Sequence, residues 1–196
     1  MRLKSSRGFT LVEILLVLGI MAAAIAIGAT RINRKDNNMK TVARKMTTVV
    51  REIRNKAKLY NTTYRLVINL DPKSPTYTVE QSAGRVQRDS EEDIKAREKM
   101  DADKRPADSF RKDSAFGKKD KELPSGLFFG QLETINLSAP ITEGVGYIYF
   151  SPEGFVEYSS IQITDRKNLT WTLVFNPLTG QADIIQEAKA LKDLKQ

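Results

Sequence analysis

An apolar run near the N-terminus constrains this chain more than any other feature. Arg2, Lys4 and Arg7 precede it, and Glu13 is the one charged side chain between residues 9 and 30. As a helix this run would be roughly 33 Å long, enough to cross the hydrocarbon core of a bilayer. A charge at the centre of a spanning helix costs about 2.5 to 3.5 kcal/mol, so Glu13 requires a functional reason. The sequence predicts a membrane helix whose acid is paired with a cation at the same depth.

A processing motif overlaps the start of this run, at residues 7–13 with the letters RGFTLVE. The motif resembles the cleavage site of type IV prepilins and of the pseudopilins of type II secretion. The resemblance implies that a prepilin peptidase cuts between Gly8 and Phe9 and that the new amine of Phe9 is methylated. It also assigns Thr10 and Glu13 to assembly, with Glu13 pairing with the free amine of a neighbouring subunit.

Two other interpretations of the N-terminus remain open. One is a secretory signal peptide, because alanines at positions 22, 23, 24 and 26 offer a small-residue cleavage site. The other is a signal anchor that is not cleaved. Neither interpretation gives Glu13 a role.

The composition argues against catalysis. The chain contains no cysteine and no histidine. It therefore has no disulfide framework and no thiolate metal site, and it lacks the usual general base and the usual metal ligand. We expect no catalytic residues, no metal site and no cofactor, and we predict that the protein is not an enzyme.

The net charge of +8 is concentrated in one segment. Residues 31–58 contain ten Lys or Arg against two acids, whereas the rest of the chain after them is slightly acidic. Apolar residues recur in this region at three- and four-residue spacing, which predicts an amphipathic helix that packs on a sheet. The apolar stripe comprises Val42, Met46, Val49, Val50, Ile53, Ala57 and Tyr60. Its basic face either contacts anionic headgroups or acidic neighbours in a fibre, or is simply solvated.

Strand patterns follow the helix. Residues 64–69 and 76–81 predict a hairpin around Asp71 and Pro72, and residues 146–150, 155–163, 170–176 and 181–185 predict further strands. Between these groups, residues 82–122 are mostly charged and contain few apolar side chains, which predicts a flexible insertion. In residues 170–176 Trp171, Leu173 and Phe175 alternate with other side chains, so one face of that strand is expected in the core.

The C-terminal half carries a second resemblance. Phe150, Pro152 and Gly154, followed by a long strand, a hairpin and Thr179-Gly180, resemble the GspH/FimT family of minor pseudopilins and minor pilins over residues 144–185. The two resemblances imply an α+β pilin fold, in which a long N-terminal helix, half in the membrane and half amphipathic, packs on an antiparallel β-sandwich.

The expected domain organisation follows from these patterns. It comprises a leader at residues 1–8, a membrane and assembly helix at 9–30, an amphipathic helix at 31–60, a globular β domain at 61–186 with its insertion at 82–122, and a tail at 187–196. In the tail, Lys189, Lys192 and Lys195 lie at three-residue spacing. They are either solvated or able to contact nucleic-acid phosphates.

The expected function is that of a minor pseudopilin of a type II secretion system, which helps to initiate or cap a periplasmic pseudopilus. Its implied partners are the prepilin peptidase, other pseudopilins or pilins, the inner-membrane assembly platform and membrane lipid. The location implied is the bacterial inner membrane, with one membrane pass and the globular domain in the periplasm. The alternative is a minor type IV pilin that acts in pilus assembly or DNA uptake. The third hypothesis is an enzyme with a cleaved signal peptide.

Overall fold

The computed structural model describes residues 10–82, 109–117 and 119–194, and for residues 26–37 it describes the backbone alone. One helix, α1, spans Leu11–Tyr60. The chain divides into two compact units, Met1–Asn38 and Met39–Gln196. The first unit contains the N-terminal part of α1, and the second contains the remainder of α1 and every described strand.

In the second unit, α1 buries one face. The residues of this face are Met39, Val42, Ala43, Met46, Val49, Val50, Ile53 and Ala57. The predicted apolar stripe is therefore confirmed with one exception, since Tyr60 is 61% exposed. The helix ends there, and Asn61 takes a left-handed conformation with φ of 52°. Tyr64, at 1% exposure, enters the core instead.

The strands form two antiparallel sheets in the described part of the chain. Sheet A contains β1 (Tyr64–Asn69), β2 (Thr76–Ser82), β3 (Phe110–Lys112), β4 (Lys121–Glu122) and β6 (Val145–Phe150), in the order β3-β2-β1-β6 with β4 also paired to β2. Sheet B contains β5 (Phe128–Thr134), β7 (Ser159–Thr164), β8 (Thr170–Phe175) and β9 (Ala182–Ile185), in the order β5-β7-β8-β9. A single hydrophobic cluster includes the buried face of α1 and residues of both sheets. The α+β pilin architecture expected from the sequence is what the structure has.

The C-terminal end of the predicted insertion is part of the folded domain. Phe110 pairs with Ser82 across β2 and β3, and Lys121 pairs with Tyr77 across β2 and β4. Phe110 and Phe116 are both buried. The prediction of flexibility is therefore wrong for residues 109–117 and 119–122, because two aromatic side chains anchor this otherwise charged stretch. Residues 83–108 lie outside the described residues.

Strand β8 is buried on both faces, which the sequence pattern did not predict. Trp171, Leu173 and Phe175 lie in the core as expected, but Thr172 on the other face is also fully buried. Its hydroxyl donates to the carbonyl of Glu187 over 2.7 Å and accepts from the amide of Lys189 over 3.1 Å. The segment after β9 therefore lies across the outer face of sheet B.

Candidate assembly interface

The start of α1 is built by two of the residues assigned to assembly. The amide of Glu13 donates to the Thr10 hydroxyl over 3.3 Å and to the Thr10 carbonyl over 3.1 Å. Thr10 is thus the N-cap and Glu13 the third helical residue, which is the Ser/Thr-x-x-Glu arrangement of a capping box. The acid also lies in the first turn, where the helix dipole favours negative charge. Gly8 and Phe9 lie outside the described residues.

This capping role was missed at the sequence level, although the letters Thr-Leu-Val-Glu carry the signal. It gives Glu13 a local function that does not exclude pairing with a cation, because its side chain is exposed. The prediction that Glu13 pairs with a neighbour's amine stays a prediction.

Apart from Glu13, residues 11–25 of α1 are uncharged and mostly apolar, and every one of these positions is exposed. The large side chains that are at least half exposed here are Leu11, Val12, Ile14, Leu15, Leu16, Val17, Leu18, Ile20, Met21 and Ile25. A helix that is hydrophobic all round is normally buried in a large core or in a membrane. This surface therefore needs apolar surroundings. Within the residues described, no helix has an apolar stretch sufficient to span a membrane.

The cations of the second half of α1 fall into two groups. Arg54 and Lys56 are half-buried and serve the fold, because Arg54 Nη2 donates to the Leu178 carbonyl over 2.6 Å and Lys56 Nζ lies 3.1 Å from Asp113 Oδ2. Arg44, Lys45, Arg51 and Lys58 are exposed. The basic face predicted from the sequence is therefore only partly a solvated face, and part of it holds loops of the β domain.

Arg65, another cation, is enclosed on the outer face of sheet A. Its guanidinium lies 2.6 Å from Glu80 Oε2, and it stacks over the rings of Phe110 at 4.2 Å and Tyr147 at 4.5 Å. Tyr149 contacts Phe110 edge to face at 6.0 Å between ring centres. The Arg65 guanidinium already stacks on two of these rings, and the third ring packs against Phe110. The rings therefore form part of the sheet surface rather than an open stacking platform for nucleic acid.

The tail lysines are less available to phosphate than their spacing suggests. Lys189 Nζ lies 2.8 Å from Glu187 Oε1, and this hydrogen bond together with the charge of Glu187 raises the pKa of the ammonium. Lys192 lies in a short 3-10 helix at Leu191–Leu194, and it lines a cavity of about 390 Å³ between the tail and residues 131–140. Lys195 lies outside the described residues. Of the two tail lysines that the structure describes, one is paired with Glu187 and the other lines this cavity.

Residues able to hold a metal ion do not cluster in the described ranges: no group of three or more Asp, Glu, His or Cys is found there. The features that remain for function are thus a capped apolar helix and the surface of the β domain. Both are suited to assembly with other molecules.

Comparisons with known proteins bear on the N-terminus and on the fold. A family model described as the prokaryotic N-terminal methylation motif matches residues 3–29. Among solved structures, the minor pseudopilin EpsH from the type 2 secretion system of Vibrio cholerae matches with 14% identity and a TM-score of 0.46, over 76% of this chain and 98% of that chain. A likeness at this level carries no argument about function. No curated protein matches the chain.

Together, the methylation motif and the helix-on-sheets architecture make this chain type IV pilin-like. The motif covers both the predicted cut site and the Thr10-Glu13 cap.

Proposed function

We propose that the chain is a minor pseudopilin of a type II secretion system, anchored in the inner membrane and incorporated into the periplasmic pseudopilus. The observation that carries this proposal is the apolar helix surface at residues 11–25, exposed at every position, capped by Thr10 and lying inside the methylation motif. Such a surface is stable only in lipid or among similar helices. A bilayer supplies the first environment before assembly, and neighbouring helices supply the second within a fibre.

The position of Glu13 supports exchange between these two environments. In lipid alone an unpaired carboxylate is costly, by up to the value of about 2.5 to 3.5 kcal/mol that applies at the centre of a spanning helix. An ammonium at the methylated N-terminus of another subunit would remove that cost on assembly. The chain would then be driven from the bilayer into the fibre by the pairing of a charge, with no chemistry of its own beyond processing by the peptidase.

The resemblance of residues 144–185 to the GspH/FimT family supports a minor subunit rather than the main subunit of the fibre. The alternative, a minor type IV pilin for pilus assembly or DNA uptake, shares the same processing site. The engagement of Lys189 by Glu187 and of Arg65 by Glu80 favours the secretion role, because both leave fewer cations for phosphate.

The proposal is tested first by processing. Co-expressed with a prepilin peptidase, the full chain should yield a mature protein that begins at methylated Phe9, as measured by mass spectrometry. Gly8→Leu should retain the leader. A mature start at Ile25 or Ile27, as a signal peptidase would give, contradicts the proposal.

Assembly is tested with three variants at the helix start. Glu13→Ala and Glu13→Gln should both be processed and inserted but should not be recovered in sheared fibres, because each removes the negative charge. Thr10→Ala should weaken the cap by about 1 kcal/mol and leave the charge in place, so incorporation should largely persist. Deletion of the gene should abolish export of secreted enzymes and leave DNA uptake intact, and the reverse result would favour the pilus alternative.

A further inference from the structure

The C-terminal segment, residues 186–194, contacts the outer face of sheet B in the way that a bound extended peptide would. Four hydrogen bonds of 2.7 to 3.1 Å join the Glu187 carbonyl to Thr172, the Lys189 amide to Thr172, the Lys189 carbonyl to Gln162 and the Leu191 amide to Glu133. The contacts fall on every second residue of the segment, which is the period of an extended backbone. In each of them a side chain of the sheet meets a backbone atom, so the sheet recognises a polypeptide rather than one sequence.

Leu191 supplies the one buried side chain among these nine residues. It is 4% exposed, yet it does not belong to the hydrophobic cluster that contains α1 and both sheets. The ion pair of Lys189 with Glu187 lies within the segment, and no ion pair joins residues 186–194 to another described residue. The segment is therefore attached by four hydrogen bonds and one leucine, outside the core.

The C-terminal segment leaves part of this face unfilled. A cavity of about 390 Å³ lies between residues 190–192 and residues 131–140, within the size range of ligand pockets. Its apolar lining consists of Ala190 and Leu191 on the segment and of Ile135, Leu137, Ala139 and Pro140 on the facing loop. A peptide with a larger apolar side chain at position 190 would bury more surface here than the resident alanine does.

Charge contributes little to recognition at this face. Glu133 is the acid in the cavity wall, and both its oxygens already accept hydrogen bonds, one from the Leu191 amide and the other from the Gln131 side chain. Lys192 is the cation in the wall, but it is exposed and belongs to the segment itself. Without the segment, the face keeps an apolar cavity wall and hydrogen-bonding side chains that require backbone partners.

We propose that the outer face of sheet B is a binding site for an extended peptide of another protein, and that the C-terminal segment occupies this site until such a peptide displaces it. The partner peptide carries two adjacent apolar side chains, one larger than alanine in the place of Ala190 and a leucine in the place of Leu191. Main-chain hydrogen bonds supply its affinity, and the cavity supplies its specificity. A tethered segment has an effective concentration on the order of millimolar, so the partner binds where its larger apolar contact outweighs that advantage.

The experiment uses the full chain in phosphatidylcholine nanodiscs and fluorescent nine-residue peptides, with empty nanodiscs as the control for binding to lipid. One peptide has the sequence of residues 186–194, and the leucine peptide has leucine in place of Ala190 in that sequence. Two N-methylated forms of the leucine peptide test the backbone contacts. Methylation at position 189 removes the donor to Thr172, whereas methylation at position 188 alters an exposed residue whose amide has no hydrogen bond to a described residue.

Four variants of the full chain accompany these peptides. Leu191→Ser weakens the attachment of the C-terminal segment and leaves the face of the sheet unchanged, and Ala190→Leu strengthens the attachment by filling the cavity. Thr172→Val, combined with Leu191→Ser, removes two of the four hydrogen bonds from the sheet. Thr78→Val in the same background is the matched control, because Thr78 is a half-buried threonine of β2 in the other sheet.

The leucine peptide should bind the Leu191→Ser variant roughly tenfold more tightly than the wild type, and Ala190→Leu should reduce its binding below the wild-type level. The peptide with the chain's own sequence should bind less tightly than the leucine peptide. Methylation at position 189 should weaken binding by about fivefold, as should Thr172→Val, whereas methylation at position 188 and Thr78→Val should leave it unchanged. Salt should have little effect, because the contacts are not ionic.

Equal affinity of the leucine peptide for the wild type and for Leu191→Ser overturns the proposal, as does equal sensitivity to methylation at positions 188 and 189. Absence of binding at millimolar concentration overturns it too. If Leu191→Ser forms dimers that Thr172→Val abolishes while no peptide binds, the site exchanges segments between copies of this chain and the proposal is wrong. The peptide modifications leave the protein unchanged, so they decide the outcome even where Thr172→Val lowers the melting temperature. The measurement needs neither cleavage at Gly8 nor a fibre, so its failure leaves the proposed function standing.

Discussion

The ammonium of Lys56 on α1 lies 3.1 Å from a carboxylate oxygen of Asp113, in the segment that follows β3. Asp113 also caps a short 3-10 helix, Ser114–Phe116, by accepting a hydrogen bond from the Ala115 amide over 2.9 Å. The Lys56 ammonium stands 4.3 Å from the centre of the Phe116 ring. The Asp113 carboxylate thus holds the short helix Ser114–Phe116 against α1.

Asp113→Ala should destabilise the full chain by about 2 to 3 kcal/mol, because it removes a cap and leaves a largely buried ammonium unpaired. Lys56→Met in the same background should recover part of this loss, since the ammonium is then gone. The measurement is urea unfolding in detergent micelles. Asp120→Ala is the matched control: Asp120 pairs with Lys112 at the surface, so its loss should cost less than about 1 kcal/mol. Equal losses at both positions would contradict this account.

Replacement of residues 84–108 by a short Gly/Ser linker should leave the melting temperature nearly unchanged. The two ends of this segment follow Ser82 and precede Phe110, which are paired across neighbouring strands, so a short linker can join them. Extension of the replacement to residue 122 should destabilise the domain strongly, because Phe110, Asp113 and Phe116 are then lost. Thermal unfolding of both variants decides the boundary, and similar melting temperatures would show that residues 109–122 do not belong to the core.

Tyr64 should make the domain sensitive to alkali. Burial, followed by the charge of Asp113 and the proximity of Tyr60, raises the pKa of Tyr64 to about 12 from 10.0. Because the folded pKa lies above the unfolded one, the stabilisation is complete below pH 10 and is lost as the pH rises toward about 12. Tyr64→Phe should lower stability by about 1 kcal/mol at neutral pH, since the hydrogen bond to Gln81 is removed, and should flatten this alkaline loss. Burial raises the pKa of Tyr77 as well, so the difference between wild type and variant isolates Tyr64. Parallel pH profiles of the two proteins would contradict the assignment.

Duplex DNA should not bind appreciably to the full chain near physiological salt. Substitution of Lys189, Lys192 and Lys195 by Gln should change nothing, because Lys189 is already paired with Glu187. Any weak binding at low salt should be lost when Arg44, Lys45 and Arg51 are changed to Gln, and its salt slope should be small. Micromolar, salt-sensitive binding that depends on the tail lysines would favour DNA capture.

The sequence predicted those elements whose apolar period is regular. Strand β1 and its hairpin partner β2 were predicted almost to the residue, because alternation continues to a turn at Asp71 and Pro72. The predicted members of the buried face of α1 are buried except for Tyr60, which is exposed because the helix ends at that residue, whereas Met39 and Ala43 belong to this face and were not predicted. Strand β7 begins at Ser159 rather than at Phe155, since the Phe155 carbonyl closes the preceding turn by accepting from the Ser151 amide over 2.9 Å.

Other elements depend on contacts that no local pattern reveals. Strands β3 and β4 have three and two residues, and they are ordered by Phe110 and Phe116 within a charged stretch. Strand β5 was missed because its register shifts between Phe129 and Gln131, which interrupts the alternation. For the candidate interface, the sequence identified Thr10 and Glu13 but not the cap that the Thr10 hydroxyl gives to the Glu13 amide.

The segment across the outer face of sheet B is held by its own peptide groups. Thr172 binds the carbonyl of Glu187 and the amide of Lys189, Gln162 donates to the Lys189 carbonyl, and Glu133 accepts from the Leu191 amide. Because these hydrogen bonds involve backbone atoms of the segment, they do not depend on its side chains; the one side chain of the segment named as buried is that of Leu191. Natural variants of this protein can therefore diverge freely along residues 187–190 as long as Glu133, Gln162 and Thr172 are retained. Variation along residues 187–190 together with retention of these three side chains would indicate that the attachment to sheet B is conserved.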